Sequence, residues 1–138
     1  MILSESIIKW ENIFRQNYVA LLEELRTAFD SYGWLLSAAV PAPKSRVDAG
    51  YDVKRISKVL DFINVMTYDL HGSWDGFADH HAPLLKREHD YYPFNTLTVD
   101  YAMKYWHQKG TYVQICQCLF FLLCQKKIQS LIYWKDWG

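Results

Sequence analysis

Tyr68, Asp69, His71, Trp74 and Asp75 fall within one short stretch, and their types are those that hold a polar ring. A carboxylate beside a phenol can accept and donate hydrogen bonds to an amide or a sugar hydroxyl. An indole offers a flat platform for the apolar face of a pyranose. The stretch therefore reads as a carbohydrate or amide site, or as a Tyr–Asp pair that ties down a loop. His71 and Asp75, together with Asp79, His80, His81, His89 and Asp90, also resemble a pool of metal ligands, but they are scattered along a loop with no helical or hairpin spacing. No metal site is expected from them. Cys116, Cys118 and Cys124 crowd into nine residues with no matching ligand pair downstream, so they read as free thiols rather than a disulfide framework or a zinc site.

These groups must be positioned by regular elements. The run from Asp61 to Asp69 is almost continuously apolar and predicts a buried strand whose C-terminal rim carries Tyr68 and Asp69, the end at which α/β enzymes build their sites. Trp34 to Val40 is apolar on both faces and predicts a second strand covered on two sides, ending at Pro41-Ala42-Pro43. Before it, apolar residues recur at three- and four-residue steps from Ile7 to Phe29, the period of an amphipathic helix, and Gly33 is the natural left-handed stop. Ala49 to Leu60 reads as a loop and a short helix with Asp52 at its N-cap and Val53, Ile56 and Leu60 facing inward. Asp61 reads as a structural cap, and core packing is the reading for Tyr105 or Trp106. A long polar, aromatic loop from Leu70 to Thr98 precedes a helix from Val99 to Gln108 that closes on Gly110. Helix, strand, helix, strand is the grammar of an α/β fold.

The chain has 138 residues with 15 basic and 15 acidic side chains, a formal net charge of zero that gives no attraction for nucleic acid. Aromatic residues make up 17% of it, more than a core of this size calls for, so some rings are expected on a binding surface. The longest apolar run, Val113 to Cys124, is interrupted by Gln114 and Gln117 and is shorter than the roughly 20 residues of a membrane-spanning helix. Lys126 and Lys127 are too few charges for a membrane-surface anchor, and no membrane partner is expected. Met1 to Phe14 has no uninterrupted apolar core, so no secretory signal is expected there.

Trp34 to Pro41, Asp48-Ala49-Gly50-Tyr51-Asp52 and above all Leu60 to Asp75, with Met66-Thr67-Tyr68-Asp69 at its centre, closely resemble the family 18 glycoside hydrolases, the chitinases and chitinase-like lectins of animals. The likeness extends from Asn17–Arg26 to Val99–Trp106 and covers roughly residues 12 to 110. It implies an α/β chain that is part of a (β/α)8 TIM barrel, from about the fourth helix through the sixth βα unit. It also implies roles. Tyr68 and Asp69 match the pair that holds the N-acetyl group of the sugar, Met66 lines the same pocket, Trp74 stacks on a sugar beyond the cleaved bond, and Ala39 leaves room for one. The implied ligand is chitin or a chito-oligosaccharide, with no cofactor.

The departures are equally specific. The family's Asp-x-x-Asp-x-Asp-x-Glu motif should precede the first helix, and nothing between Met1 and Asn12 matches it. No residue is therefore assigned as catalytic acid, and Glu23 and Glu24, on a helix, are poor substitutes. A full barrel takes about 250 residues. The expectation is a central piece of a chitinase-like hydrolase, residues 1–110, with a divergent tail, 111–138. Such a chain would bind chitin or N-acetylglucosamine oligomers without hydrolysing them alone. The alternatives are a non-catalytic chitinase-like lectin and a truncated product with no function of its own. The family is mostly extracellular, and the sequence leaves location open.

Overall fold

The computed structural model describes residues 2–111 and 116–118, with side chains from Glu11 to Thr111. Residues 119–138, which include Cys124, Lys126 and Lys127, lie outside the described residues. Helix α1 spans Ile2–Asp30, β1 Ser37–Pro41, α2 Lys44–Gly50, α3 Val53–Val59, β2 Phe62–Met66, α4 Val99–Gln108 and β3 Cys116–Cys118. The strands form one parallel sheet in the order β1-β2-β3. In its register Ala39 pairs with Asn64, Pro41 with Met66, and Asn64 with Gln117. The fold is α/β, as the alternation of elements predicts.

The third strand was not expected, since the chain beyond Gly110 shows no clean period. It forms there because β2 offers a free parallel edge, and a short segment gains its hydrogen bonds from that partner rather than from its own pattern. The strand near Trp34 also differs from the reading. It begins at Ser37, and Trp34 and Leu35 are exposed, with Trp34 stacked on Tyr32 at 4.7 Å. Along β1, buried Ala38 and Val40 alternate with exposed Ser37 and Ala39, so only one face of the strand is covered.

The covered face explains the core. Ala38 and Val40 of β1 and Ile63 and Val65 of β2 join Val19 and Leu22 of α1, Val53 and Ile56 of α3, and Ala102, Met103 and Trp106 of α4 in one buried cluster. Burying aliphatic side chains of this kind contributes about 1.5–3 kcal/mol each before the entropy of ordering them is subtracted. The opposite face presents Ala39, Asn64 and Met66.

Local chemistry sets the ends of the helices. Gly33 adopts φ +66, and the Trp34 N–H returns to the Phe29 carbonyl to close α1. The Asp52 carboxylate accepts from Arg55 N–H at 3.1 Å at the start of α3, and Thr98 Oγ1 accepts from Tyr101 N–H at 3.1 Å at the start of α4. Asp61 has the capping role read from its position. One oxygen accepts from the Leu36 N–H at 2.7 Å and from Arg26 at 2.8 Å, locking the approach to β1 against the approach to β2. The Leu36 N–H, with Arg26 beside it, holds the Asp61 carboxyl below the usual carboxylate range.

Two further ties hold α4 against β1 and α2. Trp106, fully buried, donates from Nε1 to the Pro41 carbonyl at 2.9 Å. Burial pushes the Asp48 carboxyl up, and hydrogen bonds from Lys109, Lys44 and Tyr105 outweigh it, leaving the group well below its ordinary value. Both Tyr105 and Trp106 are buried, as expected of at least one of them. Among the described residues no helix is long and apolar enough to cross a membrane.

Candidate functional site at the rim of the sheet

The C-terminal end of β2 leads into the site. After Met66 the chain turns at buried Thr67, whose N–H donates to the Val65 carbonyl at 2.9 Å, and Tyr68 follows half-buried. Asp69 then adopts φ +52, and it is the one described non-glycine residue with positive φ. A side chain in this region costs free energy, less for Asp than for most residues, and such strain persists only where surrounding contacts impose it. Here His81 imposes it from two sides. Its carbonyl accepts the Leu70 N–H at 2.7 Å, and its Nδ1 faces the Asp69 N–H at 3.4 Å and the Asp69 carboxylate at 3.8 Å. The Asp69 side chain is left 74% exposed, a carboxylate turned to solvent at the strand's end.

The next residues build an aromatic platform. His71 is fully buried and contacts the Asp75 carboxylate through Nδ1 at 3.1 Å, while the same Asp75 oxygen accepts from the Gly72 N–H at 3.2 Å. These bonds shape a single 3-10 turn, Ser73–Asp75, closed by Gly76 at φ +77. Trp74 projects from it with 69% of its surface exposed. Its indole lies across Gly72 so closely that a Cβ there would stand 2.4 Å from a ring carbon, so glycine is required for the ring to lie down.

The structure thus places Met66, Tyr68 and Asp69 in succession at the end of β2, and Trp74 on the turn that follows. Ala39 lies on the neighbouring strand, exposed and on the same sheet face as Asn64 and Met66. Asn64 Oδ1 is buried there with no partner among the described residues. A carboxylate, a phenol and an indole thus lie near one another at this end of the sheet, beside the small side chain of Ala39 on the uncovered face.

The supposed ligand pool has another use. Arg87 donates both terminal nitrogens to Asp79 at 2.6 Å and also bonds Asp90 at 2.9 Å, with a further bond from its own N–H to Asp90 at 2.9 Å. The guanidinium holds both carboxyls below the usual carboxylate range. No three His, Cys, Asp or Glu side chains among the described residues gather as a metal would require. Sequence reasoning missed this anchor, because an Arg flanked by acids at loop spacings has no periodic signature.

Comparison with known proteins identifies the family. The family model of glycosyl hydrolases family 18 matches residues 8–119, a span that reaches β3. Endochitinase of Manduca sexta is 44% identical over 98 residues, which is 70% of this chain and 18% of that protein. Catalytic domain 2 of the Ostrinia furnacalis Group II chitinase superposes with a TM-score of 0.70 at 41% identity, covering 74% of this chain and 26% of that one. Human YKL-39, described as a pseudo-chitinase with retained chitooligosaccharide binding properties, superposes at 0.70 with 34% identity, over 73% of this chain and 30% of its own. The chain therefore spans under a third of each of these proteins, and it belongs to glycosyl hydrolases family 18.

Proposed function

We propose that the rim of β2 binds an N-acetylglucosamine oligomer, with Tyr68 and Asp69 on the N-acetyl group, Met66 and Ala39 beside it, and Trp74 beneath a neighbouring ring. The observation that carries this reading is the pairing of an exposed indole laid across Gly72 with a carboxylate held in a left-handed conformation at the strand's end. An exposed indole adjoining fixed polar groups is the usual design of a pyranose platform. The parallel strands with helices on one face are read as an arc of a (β/α)8 barrel, whose site lies at this same end. The retained oligosaccharide binding of YKL-39 supports a binding role without hydrolysis.

Hydrolysis requires a carboxylic acid to protonate the leaving oxygen. The sequence contains no Asp-x-x-Asp-x-Asp-x-Glu motif, and Glu23 is engaged instead by Arg55 at 2.7 Å between α1 and α3. The activity proposed for the rim residues is recognition, and appreciable turnover of N-acetylglucosamine oligomers by these residues alone would contradict the proposal. The binding test is Trp74→Ala, a benign change at an exposed site. It should abolish the oligomer-induced change in tryptophan fluorescence seen with the native chain. A response of unchanged size would count against the platform.

A further inference from the structure

A cavity of about 200 Å³ lies between α1 and α3, on the helical side of the sheet, and shares no residue with the rim. Asn12, Arg15, Gln16 and Val19 stand three and four residues apart along α1, so they line it from one face of that helix. Asp52 and Arg55 close it from the N-cap and first turn of α3. Val19, fully buried, is the one apolar side chain of the lining.

The fold accounts for Arg15 only in part. Its Nη2 donates to the Asp48 carbonyl and, at 3.2 Å, to the Ala49 carbonyl. Both belong to the last turn of α2, where a helix leaves its carbonyls unpaired, and this explains why an arginine stands here. The Arg15 Nε is buried with no partner among the described residues, and no described carboxylate forms an ion pair with this guanidinium. A buried N–H on a cation is costly without an acceptor, and a ligand oxygen would relieve that cost. Across the cavity Arg55 bonds Glu23 through Nη2 at 2.7 Å, which leaves its other guanidinium N–H groups for a second acceptor.

Charge and size narrow the occupant. The lining carries two positive side chains, Arg15 and Arg55, and one negative, Asp52. The single positive charge that remains complements a monoanion, whereas a doubly charged phosphate would set an excess negative charge against Asp52. Guanidinium N–H groups match the planar oxygens of a carboxylate, and the Asn12 and Gln16 amides add donors and acceptors for a polar substituent. The volume lies below the roughly 300–1,000 Å³ typical of small-molecule sites, so only a few heavy atoms fit. We infer that this cavity binds a small monocarboxylate, held by Arg15 Nε and Arg55. The inference does not depend on the reading of the rim.

The test titrates the isotope-labelled full chain with acetate near neutral pH, with chloride keeping the ionic strength constant, and follows the Nε–H resonance of Arg15. That signal and the side-chain amide signals of Asn12 and Gln16 should shift saturably. Arg55→Gln removes only a half-exposed ion pair, so the fold should persist while acetate binding weakens about tenfold. Arg15→Gln should abolish the shifts at Asn12 and Gln16. A native chain whose Arg15 signal shows no saturable shift would overturn the site. Identical titrations of native and Arg55→Gln chains would also overturn it, because the second guanidinium would then take no part. Inorganic phosphate acting at lower concentration than acetate would overturn the assignment to a monocarboxylate.

Discussion

Replacing Trp106 by Phe tests how the fold holds the rim in place. The native indole is fully buried, donates to the Pro41 carbonyl at 2.9 Å and meets Tyr51 edge-on at 5.7 Å. Pro41 in turn pairs with Met66, so this one bond ties α4 to the end of the sheet that carries the site. Phe keeps most of the ring and its contact with Tyr51 but removes the donor. Leaving a partly buried carbonyl unpaired costs about 1–3 kcal/mol, and the space vacated by the smaller ring adds to that. The sum is about 2–4 kcal/mol, a large share of the roughly 5–15 kcal/mol that stabilises a typical domain. Trp106→Ala, which also creates a large cavity, should cost about 3–5 kcal/mol. Urea unfolding followed by far-ultraviolet circular dichroism measures both, and avoids the signals of the other tryptophans. A loss below about 1 kcal/mol for Trp106→Phe would refute the claim that the Pro41 bond matters, since that is less than one unpaired buried carbonyl should cost.

Acid should destabilise the chain in a defined direction. Asp48, Asp61, Asp79 and Asp90 all have carboxyls held below their ordinary value in the folded state. Their contribution is complete above about pH 5 and is lost as pH falls through the ordinary carboxyl range toward the folded values, so unfolding free energy should decline steadily below about pH 5. Arg87→Met should make that acid slope shallower, and an unchanged slope would show that Asp79 and Asp90 do not depend on the guanidinium. Gly72→Ala should displace the Trp74 ring while changing stability by less than about 1 kcal/mol, because the atom it strikes is the far end of an exposed side chain. Oligomer affinity should then fall with the fold intact, and retained affinity would count against the platform geometry. Asp69→Gly should leave stability within about 1 kcal/mol of native, since glycine takes φ +52 without a Cβ penalty, yet it should weaken oligomer binding by removing the carboxylate.

Much of this architecture was legible in the sequence because it is local. Val99–Gln108 carries its own cap, period and stop, and the structure returns the same helix. Gly33, Asp52 and Asp61 do what their residue types suggest at those positions. What the sequence obscured is set by distant partners. An apolar run such as Trp34 to Val40 says that a strand is there, but not that one face of it is left uncovered. Cys116–Cys118 became a strand through pairing with β2, which its glutamine-interrupted pattern does not announce. The Arg87 network joins Asp79 and Asp90 across a loop with no repeat to reveal it. The types of the rim residues could be read from the chain alone, whereas the left-handed turn at Asp69 and the indole lying across Gly72 belong to three-dimensional contacts.

A crystal structure of the chain with a bound N-acetylglucosamine oligomer would test the central claim most directly. The account predicts an N-acetyl group against Tyr68 and Asp69, with an adjoining pyranose lying on the exposed face of Trp74. An oligomer bound elsewhere, with Tyr68, Asp69 and Trp74 all out of contact with it, would contradict it.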